Sequence, residues 1–280
     1  MADGQKARIP NVLSIAGIDP SGGAGLLADV KAISACGAYA CGVAAALTAQ
    51  NTCGVDGVMP VPKEFVRAQL DTLWADVEVD AVKIGMLNDA EVISVVAEAL
   101  RRYRPKFVVL DPVMVAKSGA RLLESSALET LRSELIPLAT VMTPNLPEAS
   151  DLLDGTAISS REDMRGAAEA LRALMAPDAW VYLKGGHLEA EGAPDCLLGP
   201  SEAVWLESPR VQTKNTHGTG CTLSSALAAY LPQSESVPAA ARAAKNYVLG
   251  AIRGSADLQV GRGCGPTDHF WAVRQTCKQM

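Results

Sequence analysis

Ala81-Val82-Lys83-Ile84 and Phe107-Val108-Val109-Leu110 are two short, mostly apolar runs, and between them Val92, Ile93, Val96, Leu100 and Tyr103 recur at helical spacing. Runs apolar at successive positions suit strands buried on both faces of a parallel sheet. Two such strands joined by an amphipathic helix make a βαβ crossover. The alternation extends both ways along the chain. Val12–Ala16 and Tyr39–Leu47 precede this unit, and Thr140–Thr143 and Trp180–Leu183 follow it. Helical stripes fill the intervals: Val66, Leu70, Leu73 and Trp74, then Met164, Ala167, Ala168, Leu171, Leu174 and Met175 behind the N-cap Ser160, and later Ala240, Ala244, Tyr247, Val248 and Ile252. The pattern predicts an α/β fold with helices layered on a mostly parallel sheet.

The 280 residues are 49% hydrophobic and 20% charged, the balance of a globular chain rather than a disordered one. No repeat, charge block or low-complexity linker divides them. One domain over 1–280 is expected, with 1–10 as a flexible start. Lys and Arg total 25 against 31 Asp and Glu, a net charge of −6 that argues against a non-specific nucleic-acid binder. The seven cysteines contain no C-x-x-C pair, so they read as reduced thiols, and three histidines leave little for a zinc site. The first residues lack the apolar core of a signal peptide, and no stretch nears the roughly 20 apolar residues of a membrane span. A cytoplasmic protein without membrane partners is expected.

Ligands of open parallel sheets bind beyond the carboxyl ends of the strands. The residues following the proposed strands are Gly17-Ile18-Asp19, Thr48-Ala49-Gln50-Asn51, Gly85-Met86, Asp111-Pro112, Pro144-Asn145 with Glu148, and Lys184-Gly185-Gly186. Amides, carboxylates, glycines and a lysine thus gather on one edge. Gly218-Thr219-Gly220-Cys221-Thr222 opens the apolar helical stretch Leu223–Leu231. Glycines there would let the backbone approach a phosphoryl group at a helix N-terminus, where unpaired N–H donors point outward. There is neither a Walker sequence nor a strand-linked G-x-G-x-x-G, so any nucleotide use needs another architecture.

Ala16-Gly17-Ile18-Asp19-Pro20-Ser21-Gly22-Gly23-Ala24-Gly25 resembles the opening motif of the hydroxymethylpyrimidine/phosphomethylpyrimidine kinases, thiamine-biosynthesis enzymes of the ribokinase superfamily. The similarity continues through Thr48–Thr52, Lys83–Leu87, Asp111–Met114, Thr143–Ala149, Leu183–His187, Asn215–Cys221 and the turn Gly261–Pro266. Ile18 stands where a Thr is common in that family, and Leu26-Leu27 replaces a more polar pair. The resemblance implies a ribokinase-like three-layer αβα sandwich. It implies ATP- and Mg²⁺-dependent phosphorylation of 4-amino-5-hydroxymethyl-2-methylpyrimidine, then of its monophosphate, by a homodimer.

Carried residue by residue, the resemblance gives Gln50 as the reader of the pyrimidine edge, with Met86 packing on the ring and Gly17 and Asp29 as further substrate contacts. Lys184, Thr213 and Thr219 would contact ATP phosphates. Asp111, Asn145 and Glu148 would hold Mg²⁺, partly through water. Gly218 and Gly220 would form the anion hole, and Cys221, where relatives in the superfamily usually carry an Asp, would be the catalytic base. A helix N-terminus is expected to lower its thiol pKa towards neutrality. His187 and His217 are read as structural hydrogen-bonders, and the loop 116–121, with a glycine and two cations, reads equally as a cover closing over phosphates or as an exposed, solvated loop. The nearest rival is a pyridoxal kinase. A rival of another class is a vitamin-precursor-binding module without catalysis.

Overall fold

The computed structural model describes residues 8–114, 127–188 and 192–279. Most of the start expected to be flexible, and the loop 116–121, lie outside them. The first half runs β1 (Asn11–Ile18), α1 (Gly25–Ala35), β2 (Tyr39–Gln50), β3 (Val55–Pro60), α2 (Lys63–Trp74), β4 (Ala81–Ile84), α3 (Ala90–Tyr103) and β5 (Phe107–Leu110). The short α4 (Ala127–Thr130) leads to β6 (Val141–Met142), α5 (Leu146–Leu152), α6 (Arg161–Arg172) and β7 (Trp180–Leu183). A hairpin of β8 (Asp195–Leu198) and β9 (Ala203–Leu206) follows, then α7 (Thr219–Tyr230), α8 (Val237–Gly254) and α9 (Trp271–Gln279).

The strands form one sheet in the order β3-β2-β1-β4-β5-β6-β7-β8-β9. Pairs from β2 through β7 are parallel. The additions at both ends, β3 on one side and β8 and β9 on the other, are antiparallel. Period-two alternation splits the core into two layers. Leu13 and Ile15 of β1 face Val66, Leu70 and Ile93 from α2 and α3, whereas Val12 shares a cluster with Ile33, Leu227 and Ala244 from α1, α7 and α8. Each fully buried Leu or Ile contributes about 1.5–3 kcal/mol, so both layers drive the sandwich. The expected three-layer architecture is the one found.

The sequence pattern did not reveal β3, β8 and β9. Hairpin strands need no crossover helix, and the Val55–Pro60 segment is largely exposed, so neither signal marked them. The β2–β3 turn is built on Asn51, whose side-chain oxygen accepts from Cys53 N at 2.8 Å while its backbone N–H donates to Gly54 O at 3.0 Å. Thr140–Thr143 shrinks to a two-residue strand, although the Thr140 and Thr143 amides still donate to Val108 and Leu110 carbonyls at 2.8 Å.

One buried group yields a stability prediction. His269, packed at 3.1 Å from Thr222 Oγ1, is pulled down to a pKa of about 4 by burial and by Lys31. Its folded value lies below the unfolded 6.5, so the folded state resists protonation. The stability this represents is complete above pH 6.5 and is lost as pH falls towards 4. We expect wild type to lose about 3 kcal/mol more than His269→Gln over that window, read by denaturant titration. Glu148, raised to about 7 by burial, acts in the opposite sense, losing stability as pH rises from 4.5. The difference between the two proteins is therefore the measurement. Parallel curves would place the titration elsewhere.

Candidate active site

The carboxyl ends of β1, β2, β4, β5 and β7 open into one cavity of about 660 Å³, closed on another side by the N-terminus of α7. At one end stand Gly17, Thr48, Gln50 and Met86. A register shift at Ala16/Gly17 turns the β1 backbone so that Gly17 N donates to Met86 O at 3.1 Å. A methyl at Gly17 would lie 3.1 Å from the Met86 sulfur, so this glycine leaves the thioether room at the wall. The Thr48 hydroxyl sits 2.9 Å from the Ile18 carbonyl and 3.2 Å from Gln50 Oε1, which fixes the amide at the cavity edge.

Further along, charge is concentrated. Asp111 is buried and accepts from Lys184 Nζ at 2.9 Å, Thr143 Oγ1 at 3.1 Å and Ser224 Oγ at 3.2 Å. Burial alone would raise its pKa, but the Lys184 and Lys83 ammonium groups and these bonds hold it below the ordinary carboxylate range. Lys184 also lies 3.8 Å from Glu148 Oε2. Burial opposes its charge, yet the two carboxylates keep it firmly protonated. Asn145 and Glu148 form a capping box at the start of α5, each side chain accepting from the other's backbone N–H at 2.8 and 2.7 Å.

The entry to α7 abuts this cluster. Gly218 is its N-cap with φ +72°, a left-handed conformation, and no side chain caps the helix. A methyl on Gly220 would lie 3.1 Å from Lys184 Nζ, so the first turn of α7 runs directly against the Lys184–Asp111 pair. The free N–H donors of the helix end and a lysine ammonium thus meet beside Cys221, an arrangement suited to a phosphoryl group. Across from them His217 Nε2 lies 2.7 Å from Asp19 Oδ2, and Asp19 also accepts from Ser21 N and Ala24 N. This knot ties the 22–25 glycine loop to the α7 entry. Although burial works against its charge, the His217 and Ser21 bonds hold Asp19 low.

The structure brings Gly17, Gln50, Met86, Asp111, Asn145, Glu148, Lys184, Gly218, Thr219, Gly220 and Cys221 to the wall of this cavity. Three expectations need correction. Asp29 does not reach the cavity; it is wholly buried behind it, accepting from Ser14 Oγ, Lys83 Nζ and Ser225 Oγ at 2.6, 2.7 and 2.7 Å. Thr213 is not part of the wall either: its hydroxyl accepts from Asn215 N at 3.1 Å, and Thr216 lines the cavity instead. The Cys221 thiol is not lowered. Burial outweighs the Lys83 charge and the Gly25 backbone bond, with Asp29 and Asp111 adding to it, and pushes the thiol to about 11.

Sequence reasoning passed over Lys83 and the Asp195–Lys245 pair. A charge inside the otherwise apolar Ala81–Ile84 run was a signal for Lys83, since an isolated buried cation is too costly to keep without a purpose. Asp195 accepts from Tyr182 Oη and Gly185 N at 3.0 and 2.9 Å and pairs with Lys245 of α8 at the opposite, more apolar end of the cavity, beside Val248, Leu249 and Ile252. Lys245 adjoins an apolar helical stripe and gave no such signal.

The family model for phosphomethylpyrimidine kinase matches residues 19–268. The chain belongs to the phosphomethylpyrimidine kinase family. A hydroxymethylpyrimidine/phosphomethylpyrimidine kinase of Salmonella typhimurium is 50% identical over 262 residues, covering 94% of this chain and 98% of that protein. Among solved structures, a phosphomethylpyrimidine kinase from Clostridium difficile is 40% identical, with a TM-score of 0.76 over 88% of this chain and 100% of the other. The ADP complex of Bacillus subtilis pyridoxal kinase superposes with a TM-score of 0.86 at 36% identity, over 95% of this chain and 99% of that one. The sandwich is therefore the ribokinase-like fold of this phosphomethylpyrimidine kinase family. Among the described residues, no helix is long and apolar enough to cross a membrane, and the seven cysteines are free.

Proposed function

We propose that this chain transfers the γ-phosphoryl group of ATP to 4-amino-5-hydroxymethyl-2-methylpyrimidine, and then to its monophosphate. One observation carries the reading: a single cavity joins an amide- and thioether-lined end at Gln50 and Met86 to the Lys184 ammonium and the α7 entry at Gly218–Cys221, groups suited to a phosphate. The pyrimidine lies against Met86 and Gln50 with its hydroxymethyl group aimed at Cys221. The γ-phosphate rests on the α7 entry and Lys184, with Thr219 adding a contact. The nucleotide base takes the apolar end at Val248 and Ile252. Phosphoryl transfer asks the protein mainly for positioning and charge stabilisation, which these groups supply. A pure binding module would have no use for the Asp111–Lys184 pair at the helix end.

Mg²⁺ fits the same site. Asp111 and Glu148 offer oxygen ligands within 4 Å of the Lys184 ammonium, at 2.9 and 3.8 Å, and Asp111 is held ionised. Among the described residues, no group of three His, Cys, Asp or Glu side chains could hold a metal alone. Asp111 and Glu148, with Asn145 nearby, would hold the ion together with phosphate oxygens and water. When bound it neutralises charge on the transferring group.

Product analysis tests the reading: purified protein with ATP, Mg²⁺ and the pyrimidine should give first the monophosphate and then the diphosphate. Pyridoxal is the second reading, because pyridoxal kinases superpose over nearly the whole chain. Phosphorylation of pyridoxal alone would overturn the first. Gln50 supplies a finer check. Gln50→Leu leaves polar pyrimidine atoms unpaired, each costing about 1–3 kcal/mol, so kcat/KM for the pyrimidine should fall roughly 10- to 100-fold. The KM for ATP should change little. Unaltered pyrimidine kinetics would remove Gln50 from the site.

The homodimer belongs to this proposal as well. Leu47 and Met59 are cross-strand partners on the edge hairpin, 41% and 62% exposed, and an apolar pair so placed favours a covering partner. Light scattering on the purified chain reads the mass directly, and a monomer at all concentrations would refute it.

A further inference from the structure

Lys83 projects from the centre of the sheet, wholly buried, and forms part of the cavity wall near Met86. Its ammonium passes so close to the turn after β4 that a methyl on Gly85 would lie 2.7 Å from Nζ. Asp29 holds it at 2.7 Å and is itself fixed by Ser14 from β1 and Ser225 from α7. Burial opposes its charge, but the Asp29 and Asp111 carboxylates keep Lys83 protonated, with a pKa of about 12.

The pair differs from the other charge pairs of the cavity in one respect. Lys184 faces Asp111 and Glu148, and Lys245 faces Asp195, carboxylates that line the same wall. Arg210 spends its donors on the carbonyls of Gly186 and Leu188. Lys83 alone among these lysines has its counter-ion hidden behind the wall, because Asp29 is no part of the lining. The pair is neutral overall, but only its positive member belongs to the cavity wall. In a low-dielectric interior such a positive pole acts strongly on a nearby charge and barely on a neutral group.

The two substrates differ in just that property. The hydroxymethylpyrimidine offers a neutral hydroxyl, whereas its monophosphate brings about −1.5 to −2 charges near pH 7. We propose that Lys83, presented by Asp29, is the specificity residue for the second phosphorylation: its positive pole admits the substrate that already carries a phosphate. This rests on the kinase reading above and adds to it a means of favouring the charged intermediate.

The test compares wild type with Lys83→Met and with Lys83→Met/Asp29→Asn. The single variant strands a buried carboxylate and can lose stability for that reason alone; the double variant removes the stranded charge, its amide oxygen accepting from one of the Ser14 and Ser225 hydroxyls and its NH2 donating to the other. For each protein, kcat/KM is measured on the pyrimidine and on its monophosphate at saturating ATP and Mg²⁺. The Kd for the monophosphate without nucleotide is measured by calorimetry, and thermal melting is recorded. The ratio of kcat/KM for the monophosphate to that for the pyrimidine should fall roughly tenfold or more in every folded variant, with the Kd rising in parallel. A double variant that melts cooperatively and keeps the wild-type ratio overturns the inference, as does an equal loss on both substrates. Wild-type protein that makes no diphosphate refutes the functional reading itself, and the role of Lys83 with it. Two products from wild type with an unchanged ratio in the variants refute the Lys83 role alone.

Discussion

Cys221→Ala should lower kcat by roughly 10²–10⁴, the range of a general base. Cys221 stands at the first turn of α7, on the cavity wall beside the proposed phosphoryl site, and in the proposed reaction it takes the proton of the attacking hydroxyl. With its thiol near 11, the free protein holds almost no thiolate at neutral pH. Only the thiolate can accept a proton, and its fraction grows about tenfold per pH unit below the pKa. The pyrimidine kcat/KM of wild type should therefore climb with pH through the neutral range instead of levelling there. Alkylation of Cys221 by iodoacetamide in the ligand-free protein, followed by mass spectrometry, should climb on the same curve. Cys221→Asp restores part of the rate and flattens the profile, because a carboxylate is already ionised at neutral pH. An alanine variant within a few-fold of wild type would show that the helix end and Lys184 suffice.

Gly218→Ala should reduce kcat/KM by about 10²-fold or more, since a displacement near one ångström at a reacting centre has that effect. The added methyl would meet Gly23 O at 1.8 Å, and φ +72° is a conformation that side-chain-bearing residues adopt at a cost. Relief requires the 22–25 loop and the α7 entry to separate. The His217–Asp19 bond joins the same two segments, so the α7 donors would swing away from the Lys184–Asp111 pair. The strain should also lower stability by about 1–3 kcal/mol. Gly166→Ala is the control: on α6 a methyl meets nothing within 4 Å, so activity should persist and stability rise by about 0.5–1 kcal/mol. Wild-type activity in Gly218→Ala would mean that the two glycine loops do not have to interlock.

The homologous loops and the strand ends were legible because both signals are local. Gly17, Gln50, Met86, Asp111, Glu148 and Lys184 each follow a short apolar run closely, and a parallel sheet sends all such positions to one edge. Helix starts were legible for the same reason: Ser160 and Asp163 form their capping box within four residues. The antiparallel edges were not, since a four-residue strand such as Asp195–Leu198 carries too little period to distinguish it from a loop.

By itself, then, the sequence determined the layered sandwich, the edge on which chemistry gathers and the identity of the groups delivered there, all consequences of period and short-range spacing. Tertiary structure alone decided how those groups are charged and which of them touch the cavity. Asp29 meets Lys83 from 54 positions away and Ser225 from 196, so its withdrawal from the site depends on contacts between α1, β4 and α7 that no local pattern encodes. The Cys221 thiol was misjudged for the same reason: its helix-end environment is local, but burial among distant elements outweighs it.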